Sequence, residues 1–147
     1  MLTTIQRSAL VMHSAENMFR LVNDVKAYPQ FMDGCRGTEV IEEGEDYMIA
    51  RLDLQKKGIK TSFVTHNRLM PFEEIRLELH SGPFKQLRGA WTFKALAERA
   101  SKVSFFLEFE ANSQLVGVAA SSLFSTVTNS LVTTISSQAD KVYGAIG

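Results

Sequence analysis

Side chains capable of catalysis are sparse in this chain. Its three histidines, His13, His66 and His80, lie far apart in the sequence, and Cys35 is its one cysteine. No group of Cys and His has the spacing of a metal site. The G-x-S-x-G elbow, the Walker loop, G-x-G-x-x-G and H-E-x-x-H are all missing. A lone Cys35 attacks a substrate only if the fold brings it a base; otherwise it is the small buried thiol common in cores. His66 shares strand parity with Val64 and Arg68, which makes it either a polar contact inside a cavity or an ordinary satisfied histidine. Lys56, Lys57 and Lys60 gather around one turn. Such a tip suits lipid headgroups or RNA phosphates, and equally well keeps a turn soluble and a sheet edge unpaired. The run Tyr28-Pro29-Gln30-Phe31-Met32 is apolar for a connector and reads either as a gate beside a cavity mouth or as a plug in the core.

The elements that must position these groups follow from length and pattern. The chain has 147 residues, 45% hydrophobic and 22% charged, a length and balance that fit one globular domain over 1–147. Ten Phe, three Tyr and one Trp exceed what a minimal core needs and hint at an apolar site. A formal net charge of zero lacks the global basic field of nucleic-acid binders. A single cysteine forbids an intrachain disulfide. The first residues have no basic and apolar leader pattern, so the expected location is the cytoplasm.

Residues 3–12 alternate Ile5, Arg7, Ala9 and Val11 with Gln6, Ser8 and Leu10 and predict a strand. Ser14 is a helix N-cap, and Met18, Phe19, Val22 and Val25 follow at helical spacing. That helix is expected to stop before Pro29, because the proline ring disfavours the α region at Tyr28. From 36 to 112, turn signals recur every 10–15 residues, at Gly44-Glu45-Asp46, Lys57-Gly58, Met70-Pro71, Gly82-Pro83 and 97–101. Between them the period is two: Ala50/Leu52/Leu54, Ile75/Leu77/Leu79, Leu87/Gly89/Trp91/Phe93 and Val103/Phe105/Leu107/Phe109 each share a face. This is an antiparallel sheet covered on one side. Val116, Ala120, Leu123, Val127, Leu131, Ile135, Ala139 and Val142 recur at steps of three and four, predicting one long C-terminal helix as the cover. No charge occurs between Ala111 and Ala139, and the positions off the stripe are mostly Ser and Thr. The fold class is therefore α+β: a curved antiparallel sheet of six or seven strands wrapped around a long helix, with a short helical pair after the first strand. A sheet that grips a helix in this way tends to leave an apolar cavity between them.

Two stretches carry a resemblance to a known family. Leu21-Val22-Asn23-Asp24-Val25-Lys26-Ala27-Tyr28-Pro29-Gln30-Phe31, followed by Gly34-Cys35, resembles the first signature of the coenzyme Q-binding START-domain family. Gly82-Pro83-Phe84, with Leu87, Gly89, Trp91 and Phe93, resembles the second. The likeness runs over essentially the whole chain and is strongest to the bacterial branch named for the ribosome association toxin. It implies the helix-grip, START-like fold. It also implies two functions: binding of ubiquinone or a related polyprenyl quinone in support of respiration, without catalysis, or binding to the large ribosomal subunit so that the subunits fail to join. The fold is also that of polyketide cyclases, for which His66 and Tyr47 are the available acid and base.

Carried over residue by residue, the resemblance makes Tyr28, Pro29, Phe31, Phe84, Leu87, Trp91 and Phe93 cavity or gate residues. Leu123, Val127 and Leu131 join them from the helix, and His66, Arg68 or Arg88 are expected to meet a polar head. No metal or cofactor is required; ubiquinone would be bound as a ligand, with peripheral contact at the inner membrane. Lys56–Lys60 and Lys85–Arg88 are the expected surface for an anionic partner. The chain departs from its relatives at Asp33, where a second proline is common, and in its charge-free last helix.

Overall fold

The computed structural model describes residues 2–112 and 117–144. Seven strands, β1 (Thr3–Val11), β2 (Cys35–Glu43), β3 (Tyr47–Lys56), β4 (Ile59–Met70), β5 (Glu74–Ser81), β6 (Phe84–Ala97) and β7 (Ala100–Ala111), form one antiparallel sheet in the order β1-β7-β6-β5-β4-β3-β2. Consecutive strands from β2 to β7 are neighbours, as the turn signals require. The β3–β4 turn is Lys57-Gly58, both with positive φ (53° and 81°), the geometry that matches the twist of a two-residue hairpin. Register shifts in β2, β5 and β6 add local twist, which bends the long strands around the core.

The chain crosses from β1 at one edge to β2 at the other through α1 (Ala15–Asn23), a 3₁₀ turn (Val25–Ala27) and α2 (Tyr28–Phe31). Ser14 caps α1, its Oγ accepting from the Asn17 N–H at 3.1 Å. Tyr28 does not leave the α region as the following proline led us to expect. Its φ and ψ are −51° and −44°, and Pro29 sits in the first turn of α2, where its missing N–H has no intrahelical partner to lose.

The concave face holds the core. Ile5, Leu54, Phe63, Ile75, Leu87, Trp91, Phe93, Val103, Phe105, Leu107 and Phe109 are buried there. The cover is two helices rather than one: α3 (Val118–Asn129) and α4 (Leu131–Tyr143) meet at Ser130 with a bend of 47°. The reason lies in three consecutive polar side chains. Thr128 Oγ1 donates to the Phe124 carbonyl at 2.8 Å, Asn129 Nδ2 to the Ser125 carbonyl at 3.0 Å, and Ser130 Oγ to the Val127 carbonyl at 3.0 Å. These bonds compete with the helix ladder for the same carbonyls and bend it. Of the expected stripe, Leu123, Val127, Ile135 and Ala139 are buried, Val142 is exposed and Val116 lies outside the described residues. No single helix among the described residues is long and apolar enough to cross a membrane.

Two clasps hold the cover, one at the α3–α4 joint and one toward the end of α4. Arg7 donates to Asn129 Oδ1 at 2.7 Å, and buried His13 meets Asp140 at 2.7 Å. In α3, Phe124 is 1% exposed and its ring lies 5.1, 4.7 and 4.7 Å from those of Phe63, Phe84 and Phe109. Truncation there removes a full ring from a closed aromatic cluster, so Phe124→Ala is expected to lower the unfolding free energy by about 3–5 kcal/mol in urea titration. A loss below about 1 kcal/mol would show that this cluster is not what holds helix to sheet.

Candidate functional site

One cavity, of about 70 Å³, lies between the concave face and the α3–α4 joint. The sheet supplies Leu52, Phe63, Thr65 and Asn67 from β3 and β4, and Leu77, Leu87, Trp91, Phe105 and Leu107 from β5 to β7. Val25 and Tyr28 close one side, and Phe124, Thr128 and Leu131 form the roof. The cavity falls beside the register row Asn67–Leu77–Gly89–Leu107, in which Gly89 contributes no side chain. Nothing larger fits at that position, because a Cβ on Gly89 would stand 2.3 Å from the Phe106 carbonyl oxygen. Gly34, with φ of +89°, has a similar role at the roof: a Cβ there would stand 2.8 Å from the Val127 Cγ2 methyl, in a backbone conformation that L side chains rarely adopt.

The walls are apolar apart from Thr65, Asn67 and Thr128 and the polar tips of Tyr28 and Trp91. Thr65, Asn67 and Thr128 are buried, and the Thr65 hydroxyl donates to Asn67 Oδ1 at 2.7 Å. Their positions follow from strand parity. Phe63, Thr65 and Asn67 pair with Leu52, Ala50 and Met48 of β3, so all six point inward. The residues between them, Val64, His66 and Arg68, therefore point to the convex face. This corrects the expectation that His66 or Arg68 meets a ligand head. His66 instead stands edge-on to Tyr47 with 5.6 Å between rings, and the Tyr47 phenol donates to Glu42 at 2.5 Å. The two groups a cyclase would use are neighbours, on the side away from the cavity. Arg88 is also outward, donating to Glu108 at 2.9 Å and lying over Phe106.

Of the other expected site residues, Tyr28, Leu87, Trp91 and Leu131 line the cavity. Phe84 belongs to the Phe124 cluster, Phe93 packs between Phe19 and Trp91, and Leu123 and Val127 close over Gly34. Pro29 and Phe31 are half-buried. The 28–32 segment packs inward: Met32 is buried, Phe31 lies edge-on to Tyr28, and the Tyr28 hydroxyl donates to the Val22 carbonyl. Burial, with Cys35 and Asp24 nearby, holds the Tyr28 phenol well above its ordinary range, so it stays a neutral wall.

The basic tip is partly neutralised. Lys56 pairs with Asp33 at 2.6 Å, the hydrogen bond lowering the Asp33 carboxyl below its usual range, while Lys57 and Lys60 are exposed. Lys85 lies 3.7 Å from Glu110. Among the described residues, no group of three or more His, Cys, Asp or Glu is placed to hold a metal ion. Phe124, Thr65, Asn67 and Thr128 were not foreseen as site residues. The available signal was polar residues at Thr65 and Asn67 on the same parity as Phe63.

Cys35 is buried and donates weakly to the Gly37 carbonyl, and burial beside Asp53 pushes its thiol up to about 11. A neutral thiol is a poor nucleophile. Iodoacetamide at pH 8 is therefore expected to alkylate the folded protein far more slowly than the same protein in urea, as read by intact mass. Equal rates would reopen Cys35 as a reactive group.

Comparison with known proteins is consistent with this architecture. Residues 11–135 match the family described as polyketide cyclase/dehydrase and lipid transport. The ribosome association toxin RatA of Vibrio cholerae is 46% identical over 140 residues, covering 95% of this chain and 97% of its own. The mitochondrial coenzyme Q-binding protein COQ10 homolog B of Xenopus laevis is 27% identical over 135 residues, 89% of this chain and 55% of its own. The crystal structure of the ZhuI aromatase/cyclase from Streptomyces superposes with a TM-score of 0.80 at 18% identity, over 99% of this chain and 100% of that one. At that identity the likeness speaks for the helix-grip fold alone.

Proposed function

The chain belongs to the START-like polyketide cyclase/dehydrase and lipid transport family, and from that premise we propose that it is a non-enzymatic binder of an apolar small molecule, a polyprenyl quinone such as ubiquinone. The observation that carries this reading is the cavity under the α3–α4 joint, aromatic and aliphatic on its walls with a small polar cluster at Thr65, Asn67 and Thr128. An isoprenoid tail gains about 25 cal/mol for each Å² of apolar surface it removes from water, and such walls provide that surface. The polar cluster gives a quinone ring a place to orient. A space of about 70 Å³ is well below the roughly 300–1,000 Å³ of drug-sized sites. Admitting a tail therefore requires the roof to move, and the break at Ser130, with half-buried Leu131 beside it, is where it hinges. The protein then works in the cytoplasm, touching the inner membrane to exchange a quinone that serves respiration, and needs no metal or second cofactor.

Organic extraction of protein purified from a quinone-producing host, followed by mass spectrometry, is expected to recover an isoprenoid quinone at near-stoichiometric yield. An extract without lipid, from protein that also takes up no added ubiquinone, would contradict the reading.

A second reading has its own support, in the 46% identity to a protein named for ribosome association over nearly its full length. In it the chain docks on the large ribosomal subunit and hinders subunit joining, using exposed Lys57 and Lys60. Lys56, Lys85 and Arg88 already face carboxylates, which leaves a limited cationic surface for phosphate. Co-sedimentation with purified large subunits that weakens steeply as salt rises is the expected result for this role, since phosphate contacts release counterions. Failure to co-sediment even at low salt would exclude it.

A further inference from the structure

We infer that Asn67 selects the head of the bound molecule, and that the molecule carries a carbonyl oxygen for it to grip. The inference rests on the reading of the cavity as a ligand site.

Asn67 is 7% exposed, and its register opposite Met48 and Leu77 turns it onto the concave face, where it lines the cavity. A hydroxyl has one hydrogen to give. Thr65 gives its hydrogen to Asn67 Oδ1 at 2.7 Å, Thr128 to the Phe124 carbonyl at 2.8 Å, and Tyr28 to the Val22 carbonyl. Every hydroxyl hydrogen in the cavity wall is thus committed to the protein itself. The Thr65 bond also sets the amide: Oδ1 is held toward Thr65, which leaves the Nδ2 end as the part with hydrogens to offer. Among the described residues, Asn67 Nδ2 makes no hydrogen bond, and neither does the indole N–H of Trp91 in the same wall.

The cavity wall therefore holds two kinds of unspent donor, both uncharged, on residues 7% and 4% exposed. Among the described residues only Asn23 Oδ1 is fully enclosed without a partner, so these two donors keep accessible surface, and a ligand that covers them must match them. The complement is an uncharged acceptor. A carboxylate would bring a charge that no cation in this wall balances, and a pure hydrocarbon would leave the donors unmatched. A ketone or quinone carbonyl on an apolar body satisfies both requirements. His66, Arg68 and Arg88, each next in sequence to a wall residue, stand on the other face of the sheet and take no part.

Trp91 is the one tryptophan in the chain and lines the cavity, so its fluorescence reports on the site. The test titrates ubiquinone-2, and by competition geranylbenzene, which has an isoprenoid tail but no carbonyl. Three proteins are compared: the unmodified chain, Asn67→Leu, and the double variant Thr65→Val/Asn67→Leu. The double variant removes both partners of the internal bond, a change that leaves stability close to unaltered. Circular dichroism establishes that it is folded, and its affinities are read if the single variant is not. Loss of one hydrogen bond to the ligand should weaken ubiquinone-2 about tenfold in either variant and leave geranylbenzene within about twofold. If the unmodified protein binds ubiquinone-2 and the folded variants bind it equally well, the role of Asn67 is overturned while the cavity remains a quinone site. If the unmodified protein binds geranylbenzene but not ubiquinone-2, the carbonyl preference is overturned. If it binds neither, both the inference and the proposed function fall.

Discussion

The structure depends on the seating of Phe124 in the concave face of the sheet. Its ring meets Phe63, Phe84 and Phe109 edge-on or tilted, and each such pair is worth about 0.5–1.5 kcal/mol beyond the area it buries. The three partners come from β4, β6 and β7, so a single side chain ties the cover to strands across the middle of the sheet. The rest of the architecture is arranged around that anchor. The bend at Ser130 turns α4 toward β1: Arg7 holds the end of α3 at Asn129, and His13 holds α4 at Asp140. The space left beneath the joint, next to side-chain-free Gly89, is the cavity.

Polar chemistry is sorted by face. Ion pairs such as Arg88–Glu108 and Arg51–Glu39 lie on exposed parts of the sheet, where each contributes roughly 0–1 kcal/mol and is screened by salt. The cavity wall carries only neutral polar groups, hydroxyls, an amide and an indole N–H, while Arg7, on the same face of β1 as Ile5, is taken up by Asn129 of the cover. A wall of that kind is complementary to an uncharged molecule. His66 and Tyr47, the acid and base a cyclase reading would use, stand on the opposite face of the sheet from this wall. The membrane and the ribosome both present anionic surfaces, and exposed Lys57 and Lys60 beside Ile59 suit weak contact with either.

Much of this was legible in the sequence. The alternation of Ile75, Leu77 and Leu79, or of Val103 to Phe109, marked the inward face of each strand correctly, and the Gly- and Pro-bearing turns marked their ends. The helix break was not legible from period alone, because the apolar stripe continues through it. The signal lay in Thr128-Asn129-Ser130, whose side chains bond back to the preceding turn. Phe124 was overlooked beside Leu123 because both fall near the same stripe, and only the sheet's curvature decides which one reaches its centre. The head-group residues were misplaced by one position. His66 and Arg68 drew attention by their chemistry, whereas parity with Phe63 assigns the inward places to Thr65 and Asn67. Tyr28 illustrates a statistical bias overruled by context, since a proline in the first helical turn is compatible with the α region before it.

The central claim is that an apolar ligand enters the space beneath the α3–α4 joint. Photo-crosslinking with an aryl-azide derivative of a short-chain ubiquinone, followed by peptide mapping, tests it most directly. The account predicts label on the strand segment 63–67, on 87–91 and on the helical segment 124–131, removed by excess ubiquinone-2. Label spread over the convex face and indifferent to the competitor would contradict it.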